Sequence, residues 1–412
     1  ENGCQLMNLT HDLKWYLGST AFYLVPGGIQ AVLFPWLIAV YLQESAIKVG
    51  IAQMAGPLPM LFLVLFGGWL GDRVDQRRLS VILASLLAVP PLIVAVFFYV
   101  DIVTYELLLC WVVLAGCLGA FAQPARDAML NRVAGENVQG VVTLVIGVQF
   151  GIQILGFAIG SSADVMGPIG VLCFMSFFMM CSAVTTHPLP AMPVESSDTA
   201  HESPLENIKA GLLVAWRSEK IRPAIILIFG VGLFFASSYM VILPLMVRDI
   251  FDGGASGIAM AYASNMLGTC TIIFFVMRRG GIARPGRALI LGGCLSSLVL
   301  SCLYFELSEL AFYGVIYVWG MCGGISMTLS RAIVQEASPP THRARILSVY
   351  MLGMMGGMPI GSAIIGVLVE YMGIRNAVLV PGLGMLLIIA YLYLATSLYD
   401  IKRQPFTVKV ET

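Results

Sequence analysis

Long apolar runs separated by charged or Pro/Gly-rich breaks fall at about residues 15–42, 47–70, 79–100, 104–125, 139–161, 168–186, 223–247, 257–277, 287–305, 310–331, 346–370 and 376–398. Each is close to the roughly 20 residues that an α-helix needs to cross a bilayer. None shows the strict apolar/polar alternation of a barrel strand. The pattern predicts an all-α polytopic membrane protein with twelve transmembrane helices. One long polar stretch interrupts it. That stretch runs from His187 to Arg222, opens on Pro188, Pro190 and Pro193, and divides six spans from six. The expected organisation is therefore a six-helix bundle over 1–187, a cytoplasmic linker over 188–222, and a second six-helix bundle with a cytoplasmic tail over 223–412. Within the linker, Ser203-Pro204-Leu205-Glu206 has the spacing of a capping box with Pro at the first helical position. Leu205, Ile208, Leu212, Ala215 and Trp216 then recur at helical intervals, which predicts an amphipathic helix on the membrane surface.

Composition strengthens this picture and charge gives it an orientation. Charged residues make up 11% of the 412 positions, against about 25% in soluble domains, so much of the surface must face lipid. Lys+Arg and Asp+Glu both number 23, and a net charge of zero points to no nucleic acid. Of the 23 basic residues, only Lys48, Arg248 and Arg375 fall in one set of alternate loops; the other 20 fall in the opposite set and the tails. The positive-inside rule then places both termini in the cytoplasm. Residues 1–14 lack the basic start and small-residue cleavage site of a signal peptide and are expected to form an inner tail. The nine cysteines form no CxxC pair, and all but Cys4 lie in apolar runs, so neither a disulfide framework nor a metal site is expected.

The two halves match at an offset of 205: Arg73 with Arg278, Arg126 with Arg331, Gly151 with Gly356, and Gly156 with Gly361. Parallel repeats of this kind build one large class of transporter, with the substrate site between the halves. The loop between spans 2 and 3 reads Gly68-Trp69-Leu70-Gly71-Asp72-Arg73-Val74-Asp75-Gln76-Arg77-Arg78. A Gly four residues before an acid permits close helix approach, and the acid followed by three arginines makes a compact cluster of switchable ion pairs at the water boundary. This loop resembles the signature of the major facilitator superfamily, with Asp75 and Gln76 departing from it. Pro124-Ala125-Arg126-Asp127-Ala128 and the segment Glu206 to Arg222 resemble the branch that contains macrolide efflux proteins and the enterobactin exporter. The resemblance implies a rocker-switch carrier in a bacterial cytoplasmic membrane, a monomer without a cofactor. It also implies a gating motif of Gly68, Asp72, Arg73, Arg77 and Asp127, with Asp72 against the start of span 11 near Arg345 and with Arg73 or Arg77 paired to Asp127.

In this fold spans 1, 4, 7 and 10 line the cavity, flanked by 2, 5, 8 and 11. Candidate substrate contacts are then Tyr23, Gln30 and Phe34 in span 1, Gln149 and Gln153 in span 5, Tyr239 in span 7, Asn265 in span 8, and Tyr317 and Arg331 in span 10. Interhelical hydrogen bonding is the competing role for each polar residue, at about 0.6 kcal/mol. Arg126 and Arg331 are read either as positive-inside anchors or as groups that attract an anion at the inner mouth. With no acid near the middle of any span, such a wall suits a bulky neutral or anionic amphiphile better than a small cation. It also leaves protons a coupling ion implied by the family alone. A metabolite importer or facilitator is the alternative. A membrane enzyme is disfavoured because His11, His187, His201 and His342 lie in tails or loops, and an ATP pump because no GxxxxGK[ST] is present. If the loop cluster gates the cycle, Asp72→Asn and Asp127→Asn should each slow turnover and shift the ratio of inward- to outward-accessible protein, measured by site-directed labelling in vesicles.

Overall fold

The computed structural model describes residues 11–71, 74–134, 138–190, 204–279, 282–339 and 343–401. Among the described residues the secondary structure is entirely helical. Span 1 is α1 (His11–Trp36) with a π-helical continuation (Leu37–Tyr41), and span 2 is α2 (Ala46–Ala55) followed by α3 (Pro57–Gly71). Spans 3 to 6 are α4 (Gln76–Tyr99), α5 (Tyr105–Ala134), α6 (Val138–Ser161) and α7 (Ala163–Thr186). The linker carries α8 (Pro204–Arg217). Span 7 runs through α9 (Ile221–Gly230), a π-helical turn (Val231–Ala236) and α10 (Ser237–Phe251). Spans 8 to 12 are α11 (Ala255–Arg278), α12 (Pro285–Ser301), α13 (Glu309–Ala337), α14 (Arg343–Met372) and α15 (Ile374–Ala395). Among the described residues eleven stretches are long and apolar enough to cross a membrane, and Val148–Ser161 within α6 is a shorter apolar helix.

The chain forms two compact units, one of Glu1–Pro204 with Val247–Ala259, the other of Leu205–Met246 with Met260–Thr412. In lipid, apolar side chains have no hydrophobic reason to associate, so helix pairs depend on close backbone approach. In the first unit α1 meets α6 where Gly28 faces Gly156. A Cβ added to Gly156 would lie 2.7 Å from both the Gly28 Cα and the Val25 carbonyl oxygen. In the second unit the same contact recurs at the 205-residue offset: Gly361 of α14 faces the Leu233 carbonyl, and its added Cβ would lie 2.6 Å from Ser237 Oγ. The turns repeat as well. Gly167, which breaks α7 after its first turn, and Gly373, which precedes α15, both have φ of 76°.

The linker segment is helical over Pro204–Arg217. Gly211 and Ala215 of α8 are buried while Leu212, Leu213 and Trp216 are exposed. Gly211 rests on the start of α14, where its added Cβ would stand 3.0 Å from the Arg345 carbonyl oxygen. Asp75, the departure from the loop signature, caps α4: its Oδ1 accepts from the Arg77 backbone N–H at 3.0 Å.

The repeat contact generates a paired test. Gly156→Ala should destabilise the detergent-solubilised protein by about 1–3 kcal/mol through overpacking. Gly151→Ala, whose Cβ would meet nothing within 4 Å, should leave the thermal midpoint in place.

Candidate functional site

One end of the first unit holds a charged side chain in its interior. Arg126 of α5 is 4% exposed. Tyr16, Ser19 and Tyr23 recur on α1 at intervals of three and four, which puts them on one face, and Ser182 and Thr186 do the same on α7. The guanidinium lies where these faces meet. Its Nη2 donates to Ser19 Oγ at 3.2 Å and Thr20 Oγ1 at 3.1 Å, and its Nη1 reaches Ser182 Oγ at 3.5 Å. The Tyr23 ring covers one face of the guanidinium, 4.3 Å from its carbon. The Tyr16 hydroxyl donates to the Arg126 carbonyl at 3.2 Å. The hydroxyls are themselves organised, since Ser19 and Thr186 share a hydrogen bond of 2.5 Å and Ser182 donates to the Ser19 carbonyl at 3.0 Å.

Apolar groups seal the charge. A buried cluster of Leu13, Tyr16, Met129, Val145 and Leu189 packs on one side. Tyr23 packs against a second cluster of Leu83, Leu87 and Ala122. Among the described residues no carboxylate forms an ion pair with Arg126, and the neighbouring Asp127 is exposed and takes a hydrogen bond from Gln123 Nε2 at 3.0 Å. A buried cation held by hydroxyl dipoles and a ring face, with the adjacent Asp127 carboxylate hydrogen-bonded to Gln123, carries a desolvation cost that a second anion would offset. An ionisable group inside a membrane bundle marks a functional position by default.

This corrects the expectation that Arg126 anchors at the water boundary or waits at an inner mouth. Residue spacing placed it at a helix end, but Ser19, Thr20 and Ser182 offer enough acceptors to draw the side chain inward. The signal lay in those hydroxyls, which occupy the corresponding ends of two other spans. Arg331, its repeat counterpart, is exposed.

The other candidates are distributed between the units. Gln30 and Gln153 are half-buried on α1 and α6, and Gln149 is exposed on α6. Phe34 is 3% exposed and packs edge-to-face on Trp111, with centroids 5.9 Å apart, so here it is a packing residue. In the second unit Tyr239 stacks on Tyr262 at 4.2 Å. Asn265 Nδ2 points to the Ile316 carbonyl at 3.4 Å, and the Tyr317 hydroxyl donates to Thr271 Oγ1 at 2.9 Å; both join α11 to α13. Of the gating motif, Asp72 and Arg73 lie outside the described residues, as do the surroundings of Gly68. Arg77 and Asp127 are described and form no ion pair with each other. The i,i+4 bond from Gln123 satisfies Asp127 instead.

The sequence profile of the transmembrane secretion effector family matches residues 20–405. The chain belongs to that family, a branch of the major facilitator superfamily. The transporter is 27% identical over 386 residues to the multidrug efflux pump Tap of Mycolicibacterium fortuitum, covering 88% of this chain and 90% of that protein. It is 20% identical over 401 residues to the staphyloferrin A transporter of Staphylococcus aureus, covering 92% and 95% respectively. In fold it resembles the nucleoside transporter NupG (TM-score 0.73, 14% identity, 96% of this chain and 100% of that one). An auto-inhibited POT family peptide transporter gives a TM-score of 0.71 at 12% identity over 95% and 97%. It is a multi-pass membrane transporter.

Replacing a buried charge by an apolar side chain of similar volume is often neutral for stability, whereas stranding the charge is costly. Arg126→Met should therefore hold the thermal midpoint within a few degrees yet lower transport tenfold or more. Ser19→Ala with Ser182→Ala should destabilise by about 1–3 kcal/mol. Unfolding curves and uptake assays on the same preparations check both.

Proposed function

We propose that the transporter exports a hydrophobic or amphipathic small molecule, neutral or anionic, across a bacterial cytoplasmic membrane by secondary active, rocker-switch transport. Drugs, macrolide-like compounds and siderophores belong to this class. The observation that carries the reading is the match over 90% of the length of a multidrug efflux pump. The match to a staphyloferrin A transporter supports a siderophore among the cargoes. The absence of acids from the middle of the spans in the sequence weighs against a small cation, which would have no counter-charge. The arginine-rich set of loops argues for both termini in the cytoplasm.

Gly68, Asp72, Arg73, Arg77 and Asp127 serve as the inner gate in this reading. Tyr23, Gln30, Gln149, Gln153, Tyr239, Asn265, Tyr317 and Arg331 serve as cavity candidates, with Phe34 behind them. Protons are the proposed coupling ion, and the transporter works as a monomer without a cofactor. A metabolite importer or facilitator is the competing reading.

Inside-out vesicles test this directly. A labelled macrolide and an iron-free amphipathic siderophore should accumulate under an imposed pH gradient, and a small lipophilic cation should not. Accumulation indifferent to the gradient would end the proton-antiport part, and no uptake of either amphiphile would favour the importer.

A further inference from the structure

Residues 247–259 comprise the end of α10, the turn after it and the first turn of α11. They group with the first unit although the flanking stretches of both helices group with the second. Two side chains fasten them. Asp164, in the first turn of α7 ahead of the break at Gly167, accepts from the backbone N–H groups of Ala255 and Ser256, both at 2.8 Å. These are the first residues of α11, whose N–H groups have no partner within the helix, and the carboxylate meets the positive end of the helix dipole. Gly254 leaves room for it: an added Cβ would lie 2.7 Å from the carboxyl carbon.

The second fastening is Arg248, in the last turn of α10. Its Nη1 donates to the carbonyls of Ala39 at 3.1 Å and Glu44 at 2.8 Å, in and just after the π-helical turn that ends span 1. Its Nη2 holds Asp249 Oδ2 at 3.1 Å, which fixes the guanidinium plane. Asp164 and Arg248 thus grip one connection from two elements, α7 and the end of span 1. Every one of these bonds is polar; Asp164 is exposed and Arg248 half-buried, so water can reach the carboxylate as its contacts break. That is the chemistry of a reversible joint, whereas a permanent one would be apolar and dry.

We infer that Asp164 and Arg248 form a single two-pronged clamp on the 247–259 connection, and that its release is a required step of each transport turnover. The two act as positioning residues through the α11 N-terminus and the end of span 1. The inference rests on the transport reading for its consequence, but the clamp itself can be tested without cargo.

Hydrogen–deuterium exchange on the full chain in nanodiscs reads it. Asp164→Ala should raise exchange at Ala255 and Ser256, and also at residues 42–46, which Asp164 does not touch. Arg248→Gln should do the same in reverse. The expected rise is roughly three- to tenfold, as the loss of one or two net hydrogen bonds gives. Asp164→Asn keeps one acceptor oxygen and should fall between, even if the alanine variant folds poorly. Increases confined to each variant's own partners would overturn the single clamp. For the turnover step, the double variant Asp164→Cys with Ser256→Cys, once oxidised, should lose at least tenfold of its macrolide uptake in inside-out vesicles and regain it on reduction, with oxidised wild type as control. Unchanged uptake by the cross-linked protein would overturn the required release. A wild type that carries no macrolide would count against the export reading, and the clamp would then stand or fall on exchange.

Discussion

Helices in a bilayer gain little by pressing apolar side chains together, because lipid offers the same environment. Cohesion must come from backbones that approach closely and from polar groups that find partners. The contact between Gly28 and Gly156 is the first kind, and its counterpart at Gly361 shows it used twice in one chain. Once α1 and α6 lie this close, α1 presents Tyr16, Ser19 and Tyr23 toward α5 and α7, and the inner hydroxyl cluster has its frame. The polar interior of the first unit is therefore a consequence of where small residues allow helices to touch.

Much of this was legible in the chain itself. Span number follows from a bilayer thickness that admits only helices of a certain length, and the described helices occupy all twelve apolar runs. The offset of 205 was legible from four residues, of which Gly156 and Gly361 prove to be the packing contact itself. Asp75 read as a departure from a loop signature, and its capping of α4 supplies the reason for it. Arg126 was misplaced because spacing along one helix cannot tell which way a long side chain turns at a helix end. That choice depends on Ser19, Thr20 and Ser182, more than 50 residues away in sequence. The partners of Asp164 were illegible for a related reason: an isolated acid in a connection between spans carries no sign that it faces the open end of another helix.

The two halves share a backbone plan but differ in where charge is allowed. At the 205-residue offset, Ser19, Thr20, Tyr23 and Ser182 correspond to Ala224, Ile225, Ile228 and Leu387. The second half thus replaces these four groups that contact Arg126 with aliphatic side chains, and Arg331 remains exposed. Pseudo-symmetry governs the helices, while the interior chemistry is specific to one half. Among the described residues the fully buried charged side chain, Arg126, lies in the first unit, and the second contributes aromatic stacking and interhelical amide contacts such as those of Tyr239 and Asn265.

The turns at Gly167 and Gly373 bear on how the protein enters its membrane. Between α6 and α7 the chain passes through Ser162 and a single broken turn, and between α14 and α15 through Gly373 alone. Each pair of spans can insert as a preformed hairpin, carrying across the bilayer a tip with Asp164 in the first case and with Gly373 between Glu370 and Arg375 in the second. Little polar sequence has to be dragged through hydrocarbon. The same economy leaves these tips with little chain for a protease or antibody to grasp.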